Sequence, residues 1–194
     1  MIKKVVVLFS GGIDSTACIH YYLNQGFNVK AVFIDYGQTP SIKEFQSAIN
    51  IAEYYKINLD RFIFKNSQVY SQGEIKGRNA FFILAVLLNY PEFSGIISLG
   101  IHSGVYYYDC SENFLNDIQI LLDGYTDGKV ALDTPFIKWD KKRIYDYCKV
   151  NEIPIHLTYS CENGANKPCG VCSSCKDRRT LNVGQKDEIN VKWD

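Results

Sequence analysis

The apolar positions of this chain follow two alternating rhythms. The run KKVVVLFS, closed by Gly11 and Gly12, is short and β-branched, the pattern of a strand buried on both faces. From Ile13 to Gln25 the apolar residues recur at helical spacing, and Gly26 supplies the stop. NVKAVFIDYG then predicts a second strand, Lys43 to Tyr55 a second helix and LDRFIF a third strand. A polar loop over 66–76 leads into GRNAFFILAVLLNY, an apolar helix opened by Gly77, Arg78 and Asn79, and GIISLGIH reads as another buried strand. The pattern breaks over SGVYYYD and resumes as the amphipathic helix SENFLNDIQILLDGY, with Ser111 as its N-cap. DTPFIKWDKKRIYDYCKVNEIP gives an extended piece, a turn and a last core helix.

Strand alternating with helix predicts an α/β fold with a doubly wound, mostly parallel, Rossmann-like sheet that binds ligands at the carboxyl ends of its strands. From Ser160 onward the chain is rich in Cys, Gly and Asn and has too few apolar residues for a core. The expected organisation is one domain over 1–159 with a tail, 160–194, packed on it as a single compact unit. At 194 residues the chain is long enough for one such core and short for two.

Charge narrows the partners. Lys plus Arg and Asp plus Glu both total 21, so no bulk field attracts nucleic acid or a membrane, and a small ligand is expected. No apolar run approaches the ~20 residues of a membrane span, and the first glycine turn comes too early for a signal peptide, which suggests the cytosol. Four of the seven cysteines, Cys161, Cys169, Cys172 and Cys175, crowd near the C-terminus, which in a reducing compartment points to metal. Cys18, Cys110 and Cys148 are scattered and expected to pack as small apolar residues.

The stretch FSGGIDSTAC has the outline of a phosphate cradle without the lysine of a Walker loop. Gly11 and Gly12 permit a tight turn, and Asp14, Ser15 and Thr16 fall in the first helical turn, where unpaired N–H groups and the helix dipole favour an anion. S-G-G-x-D-S resembles the signature of the PP-loop ATP pyrophosphatases. The resemblance implies that Phe9, Ser10, Gly11, Gly12, Ile13, Asp14, Ser15 and Thr16 grip the β,γ-pyrophosphate of ATP with its own Mg²⁺, and that ATP is cut between the α- and β-phosphates. Asp35 ends the second strand, where a carboxylate meets a ribose hydroxyl or the adenine region.

The cysteine spacing, C-x7-C-x2-C-x2-C, favours four thiolates around tetrahedral zinc in a structural role, with an iron–sulfur cluster as the rival reading and structural disulfides third. Arg178 and Arg179 follow directly and either face the site or begin a solvated helix.

Taken together, the loop, IDYGQ, GRNAFFILA, TPFIKWDKK and SCENGANKPCGVCSSCKDRR resemble, in order, the QueC family of 7-cyano-7-deazaguanine synthases. The resemblance implies a PP-loop (HUP-type) fold with a four-cysteine Zn²⁺ appendage. It further implies adenylation of 7-carboxy-7-deazaguanine by ATP, displacement of AMP by ammonia, and a second use of ATP that dehydrates the amide to the nitrile preQ0. By position Lys141 matches a lysine that neutralises the phosphates and, with Asp14, forms the catalytic pair. Arg78, Asn79, Tyr108, Asp109 and Arg178 fall on substrate-side elements, and a homodimer is implied. From the residues alone, Lys141 is equally an ordinary surface charge, and Arg78 and Asn79 a helix cap.

Two segments depart from the family pattern. The one before Gly77 is short, and after Gly100 the chain reads GIHSGVYYYDCS, which keeps Asp109 and Cys110 but lacks the family's acidic residues, proline and arginine. Tyr106, Tyr107 and Tyr108 supply aromatic faces for a guanine-like ring or for a protein interface. A related enzyme that joins the activated deazaguanine to a protein amine, as the resemblance implies for members in defence gene clusters, is the runner-up. Other PP-loop enzymes and a non-catalytic nucleotide-binding protein stand below it. The three histidines, His20, His102 and His156, are scattered and expected to be packing or surface residues.

Overall fold

The computed structural model describes residues 3–65, 70 and 73–181. The loop expected over 66–76 and the tail expected over 160–194 therefore lie partly outside the described residues. Five strands, β1 (Lys4–Leu8), β2 (Asn28–Asp35), β3 (Asn58–Ile63), β4 (Gly95–Leu99) and β5 (Val130–Asp133), form one sheet in the order β3-β2-β1-β4-β5. Every neighbouring pair is parallel. The helices are α1 (Ile13–Asn24), α2 (Ser41–Tyr55), α3 (Arg78–Asn89), α4 (Glu112–Thr126), α5 (Lys141–Val150) and α6 (Ser173–Thr180).

The unbroken apolar run of β1 follows from burial on both faces. Val5 and Val7 belong to a core built with α1, α2 and α5, and Val6 and Leu8 to one built with α3 and α4. Val7 is wholly buried, a side chain that contributes about 1.5–3 kcal/mol when taken from water. Inside the first core Tyr22 Oη donates to Asp133 Oδ2 at 2.6 Å, which joins α1 to the far end of the sheet. Burial, and then the Asp133 carboxylate, push the Tyr22 phenol far above its ordinary range. Cys18, Cys110 and Cys148 are buried, as their scatter suggested.

One element sits elsewhere than expected. The extended piece predicted to start at Asp133 is a strand that ends there, since Val130 to Asp133 pair with Gly95 to Ser98. Pro135 has no N–H to continue the ladder, and the chain turns over 134–138 instead.

From β1 the chain winds outward to β2 and β3, then crosses to β4 on the other side of β1. This reversal opens a crevice at the carboxyl ends of β1 and β4, the customary ligand position in such sheets. Among the described residues no helix is long and apolar enough to cross a membrane.

Candidate functional site

The loop after β1 turns on Gly11, whose φ of 76° is left-handed, and α2 packs directly on it. A Cβ at this position would meet Glu44 O at 2.6 Å. Gly12 is the N-cap of α1 in extended conformation and, being a glycine, gives no side-chain cap. The hydroxyls of the loop bond among themselves: Thr16 Oγ1 donates to Gly12 O at 2.7 Å, and Ser10 Oγ lies 3.2 Å from Ser15 Oγ. The opening turn of α1 therefore keeps N–H groups and dipole available for an anion. Ser47 braces the loop from behind. Its buried hydroxyl is 2.8 Å from Gly11 O and 2.7 Å from Leu157 O, and accepts from Tyr159 N at 3.1 Å.

Lys141, the first residue of α5, arrives at the same place from the other end of the chain. Asp140 caps that helix by accepting from Arg143 N at 2.7 Å, which fixes where Lys141 leaves the backbone. Its Nζ lies 2.5 Å from Asp14 Oδ2, both side chains being mostly buried. Asp14 Oδ1 is buried without a partner among the described residues. The arrangement places a cation and a helix end with free N–H groups side by side, which suits stabilisation of a polyphosphate leaving group.

On the β2 side of the loop, Asp35 accepts from Arg61 at 2.6 Å and from Gly37 N at 3.3 Å. Burial alone would raise its carboxyl, but the hydrogen bonds from Arg61 and Gly37 help outweigh it and leave the pKa lowered. Gln38 is buried and saturated: it accepts from Tyr36 N and donates to Ile34 O and to Glu44 Oε2 at 3.0 Å. Burial pushes the Glu44 carboxyl up to about 7 against the opposing pull of Gln38 and Arg78. Beside this cluster opens a pocket of about 300 Å³ lined by Tyr36, Phe64, Tyr70, Arg78, Phe81 and Phe82. Arg78 reaches over the Phe82 ring, with its Nε buried and without a partner among the described residues.

Asn79 and Asp109 meet in the interior. Asn79 N donates to Asp109 Oδ2 at 3.3 Å and Asn79 Nδ2 to Asp109 O at 2.9 Å, so the carboxylate caps α3 from a distant loop. Tyr108 does not join them. It is exposed, bonded to Asp117 of α4 and packed edge-on against Phe114.

In the tail, the Sγ atoms of Cys161, Cys169, Cys172 and Cys175 all lie within 4.8 Å of one another. Tetrahedral zinc with Zn–S bonds near 2.3 Å implies S···S separations of about 3.8 Å, and Cys169 and Cys175 are already 3.9 Å apart. The donor set and spacing fit zinc. The backbone N–H groups of Cys172 and Val171 draw the Cys169 thiol down to about 6, favouring the thiolate. Arg178, on α6, donates to Thr158 Oγ1 at 3.0 Å and Ser160 Oγ at 3.3 Å, tying the cluster to the segment that braces the phosphate loop.

Of the residues that sequence reading singles out, Asp14, Lys141 and the loop converge, Asn79 and Asp109 converge, and the four cysteines converge. It assigns no site role to Ser47, Gln38, Glu44 or His102. Gln38 has a signal, its place directly after IDYG at a strand end. Ser47 and Glu44 are ordinary helix residues in sequence, and only their contacts distinguish them.

Comparison with known proteins adds independent findings. A family model described as "Queuosine biosynthesis protein QueC" matches residues 4–69 and 64–182. The two matches overlap over 64–69, in the segment before Gly77. A protein named 7-cyano-7-deazaguanine synthase 2, from Desulfitobacterium hafniense (strain Y51), is 32% identical over 218 residues, covering 97% of this chain and 93% of the relative. A 7-cyano-7-deazaguanine synthase from Synechococcus sp. (strain CC9311) is 30% identical over 217 residues, covering 95% and 96%. Both alignments are longer than this 194-residue chain, so the relatives carry segments that it lacks. Among solved structures, a 4-thiouridine synthetase in complex with RNA and bound ATP superposes with a TM-score of 0.55 at 21% identity, covering 93% of this chain and 50% of the other. NMN synthetase from Francisella tularensis gives 0.52 at 14%, covering 98% and 88%. These two likenesses establish the fold alone.

Proposed function

Because the chain belongs to the QueC family, we propose that it is an ATP-dependent, AMP-forming ligase that adenylates the carboxylate of 7-carboxy-7-deazaguanine and passes the acyl group to an amine. The observation that carries this reading is the 2.5 Å contact between Lys141 Nζ and Asp14 Oδ2. It supplies at the mouth of the glycine loop the cation that the loop itself lacks.

A carboxylate is a poor electrophile because oxide is a poor leaving group. In the proposed reaction a carboxylate oxygen attacks the α-phosphorus of ATP and pyrophosphate departs. The loop from Phe9 to Thr16 holds the departing group, Lys141 shifts from Asp14 to meet its growing charge, and Mg²⁺ accompanies the phosphates. Ammonia then displaces AMP from the acyl adenylate to give the amide, and a second round of ATP use removes the amide oxygen to leave the nitrile. No side-chain nucleophile is required. Asp35 and the Glu44–Gln38 cluster flank the nucleoside side, while Arg78, with Asn79 and Asp109 behind it, borders the substrate. The four cysteines hold a structural Zn²⁺ that pins the tail, 160–194, to the domain over 1–159.

A second reading has its own support in the split family match and the relatives' extra segments. With shorter substrate loops, the amine that displaces AMP belongs to a protein instead of ammonia.

Mass spectrometry of products decides, after incubation with ATP, Mg²⁺ and 7-carboxy-7-deazaguanine, first with ammonium and then with candidate protein acceptors. Nitrile with ammonium is the expected result, and Lys141→Ala is expected to lower AMP formation about 100-fold or more. AMP with a modified protein and no nitrile would establish the second reading. Absence of AMP under every condition would overturn both.

A further inference from the structure

His102 stands three residues beyond the end of β4, at the crevice between β4 and β1. On one side Gly100 presses on the first turn of α1, where a Cβ would come within 2.8 Å of Ser15 N. On the other, Ser103 N and Oγ bond to Trp139 O at 2.9 and 2.8 Å, two residues before Lys141. The segment over 100–103 thus runs from the phosphate loop to the head of α5, with His102 between them. The charged groups that act on its ring are Lys141 of α5 and Asp140 that caps it, Asp14 of α1 and Asp177 of α6.

The geometry fixes the tautomer. Gly104 N lies 3.1 Å from His102 Nδ1, and an amide N–H only donates, so Nδ1 accepts and the proton of the neutral ring is on Nε2. Burial first, and then Lys141, hold the ring below the ordinary histidine range, with the three aspartates pulling less strongly the other way. Protonation would also force a second N–H against that of Gly104. The side chain is therefore a neutral donor near pH 7, and it adds no charge repulsion to Lys141.

We propose that His102 donates from Nε2 to an oxygen of the leaving pyrophosphate, beside Lys141, and does so as a neutral imidazole. This rests on the reading of the site as one that cuts ATP between the α- and β-phosphates. A pyrophosphate seated on the first turn of α1 and reached by Lys141 lies against the segment that carries His102. One hydrogen bond to a charged oxygen is worth about tenfold in affinity or more.

The test is calorimetric titration of the intact chain with inorganic pyrophosphate and Mg²⁺ at pH 7, in two buffers of different ionisation enthalpy. His102→Leu is expected to bind about tenfold more weakly or worse. His102→Gln, whose side-chain amide restores an N–H at similar reach, is expected within about threefold of wild type. The enthalpy is expected to show no buffer-dependent proton uptake that His102→Gln abolishes. Nitrogen-detected NMR of the free protein should show the proton on Nε2. Wild-type affinity in His102→Leu, a proton uptake lost in His102→Gln, or a proton on Nδ1 would each overturn the proposal while leaving the ATP reading intact. If the wild-type protein binds no pyrophosphate at all, the ATP reading itself fails and the role of His102 falls with it.

Discussion

Gly11 and Gly26 have the same φ, 76°, in different surroundings, and this makes a controlled experiment of two single substitutions. Beyond the C-terminus of α1, a Cβ on Gly26 would meet nothing within 4 Å, so Gly26→Ala carries only the backbone penalty of a left-handed alanine, about 1 kcal/mol. At Gly11 the same methyl would lie 2.6 Å from Glu44 O and 3.0 Å from both Ala48 N and Ser47 Oγ. Two of those three contacts are helical backbone, which cannot swing aside, so Gly11→Ala must shift α2 or the loop. Overpacking of this kind costs about 1–3 kcal/mol beyond the backbone term. For a chain of this size the sum corresponds to a fall in Tm of roughly 5–15 °C, against about 2–4 °C for Gly26→Ala. Thermal melts of both variants, paired with AMP-formation assays, measure the difference. Equal losses in Tm would refute the argument that α2 is seated on the loop. A Gly11→Ala protein with wild-type AMP formation would refute the link from that packing to the chemistry.

Two further outcomes are expected. Burial raises the Glu44 carboxyl from its ordinary 4.5 to about 7, so between those values the folded chain keeps a proton that the unfolded chain has lost. This group's contribution therefore falls as pH rises from about 4.5 to 7 and stays lost above 7. Glu44→Gln should flatten that part of the stability curve and gain most above pH 7; superimposable Tm profiles from pH 4 to 8 would contradict it. Cys172→Ser should lower zinc content and destabilise the tail, and elemental analysis that finds wild-type protein folded, stable and metal-free would exclude the zinc assignment.

Much of the fold is legible in the sequence because burial on both faces leaves so plain a trace: Val5 to Leu8 and Val32 to Ile34 admit no amphipathic reading. Strand β5 escapes such a reading because only four residues pair there and its inner side is marked by just two apolar residues, Val130 and Leu132, too short a run to separate from the preceding turn. At the site, a contiguous stretch such as Ser10 to Thr16, or the three closely spaced cysteines, carries its geometry in its spacing. Lys141 stands out only through a resemblance, since nothing local separates it from Lys142, which bonds to Asp146 on the helix surface. Glu44, Ser47 and His102 act through neighbours far away in sequence, and no local pattern encodes such meetings.

The hydroxyl of Ser47 has a consequence for the order in which this protein is completed. It joins Gly11 to Leu157 and Tyr159, so the loop made near the start of the chain is finished by a segment made near its end. At ribosomal speeds the two are born roughly 7–30 s apart. Through that interval a nascent chain displays the whole nucleotide signature with its back unsupported. A product cut short before residue 157 would carry the motif and lack the fastening that gives it shape.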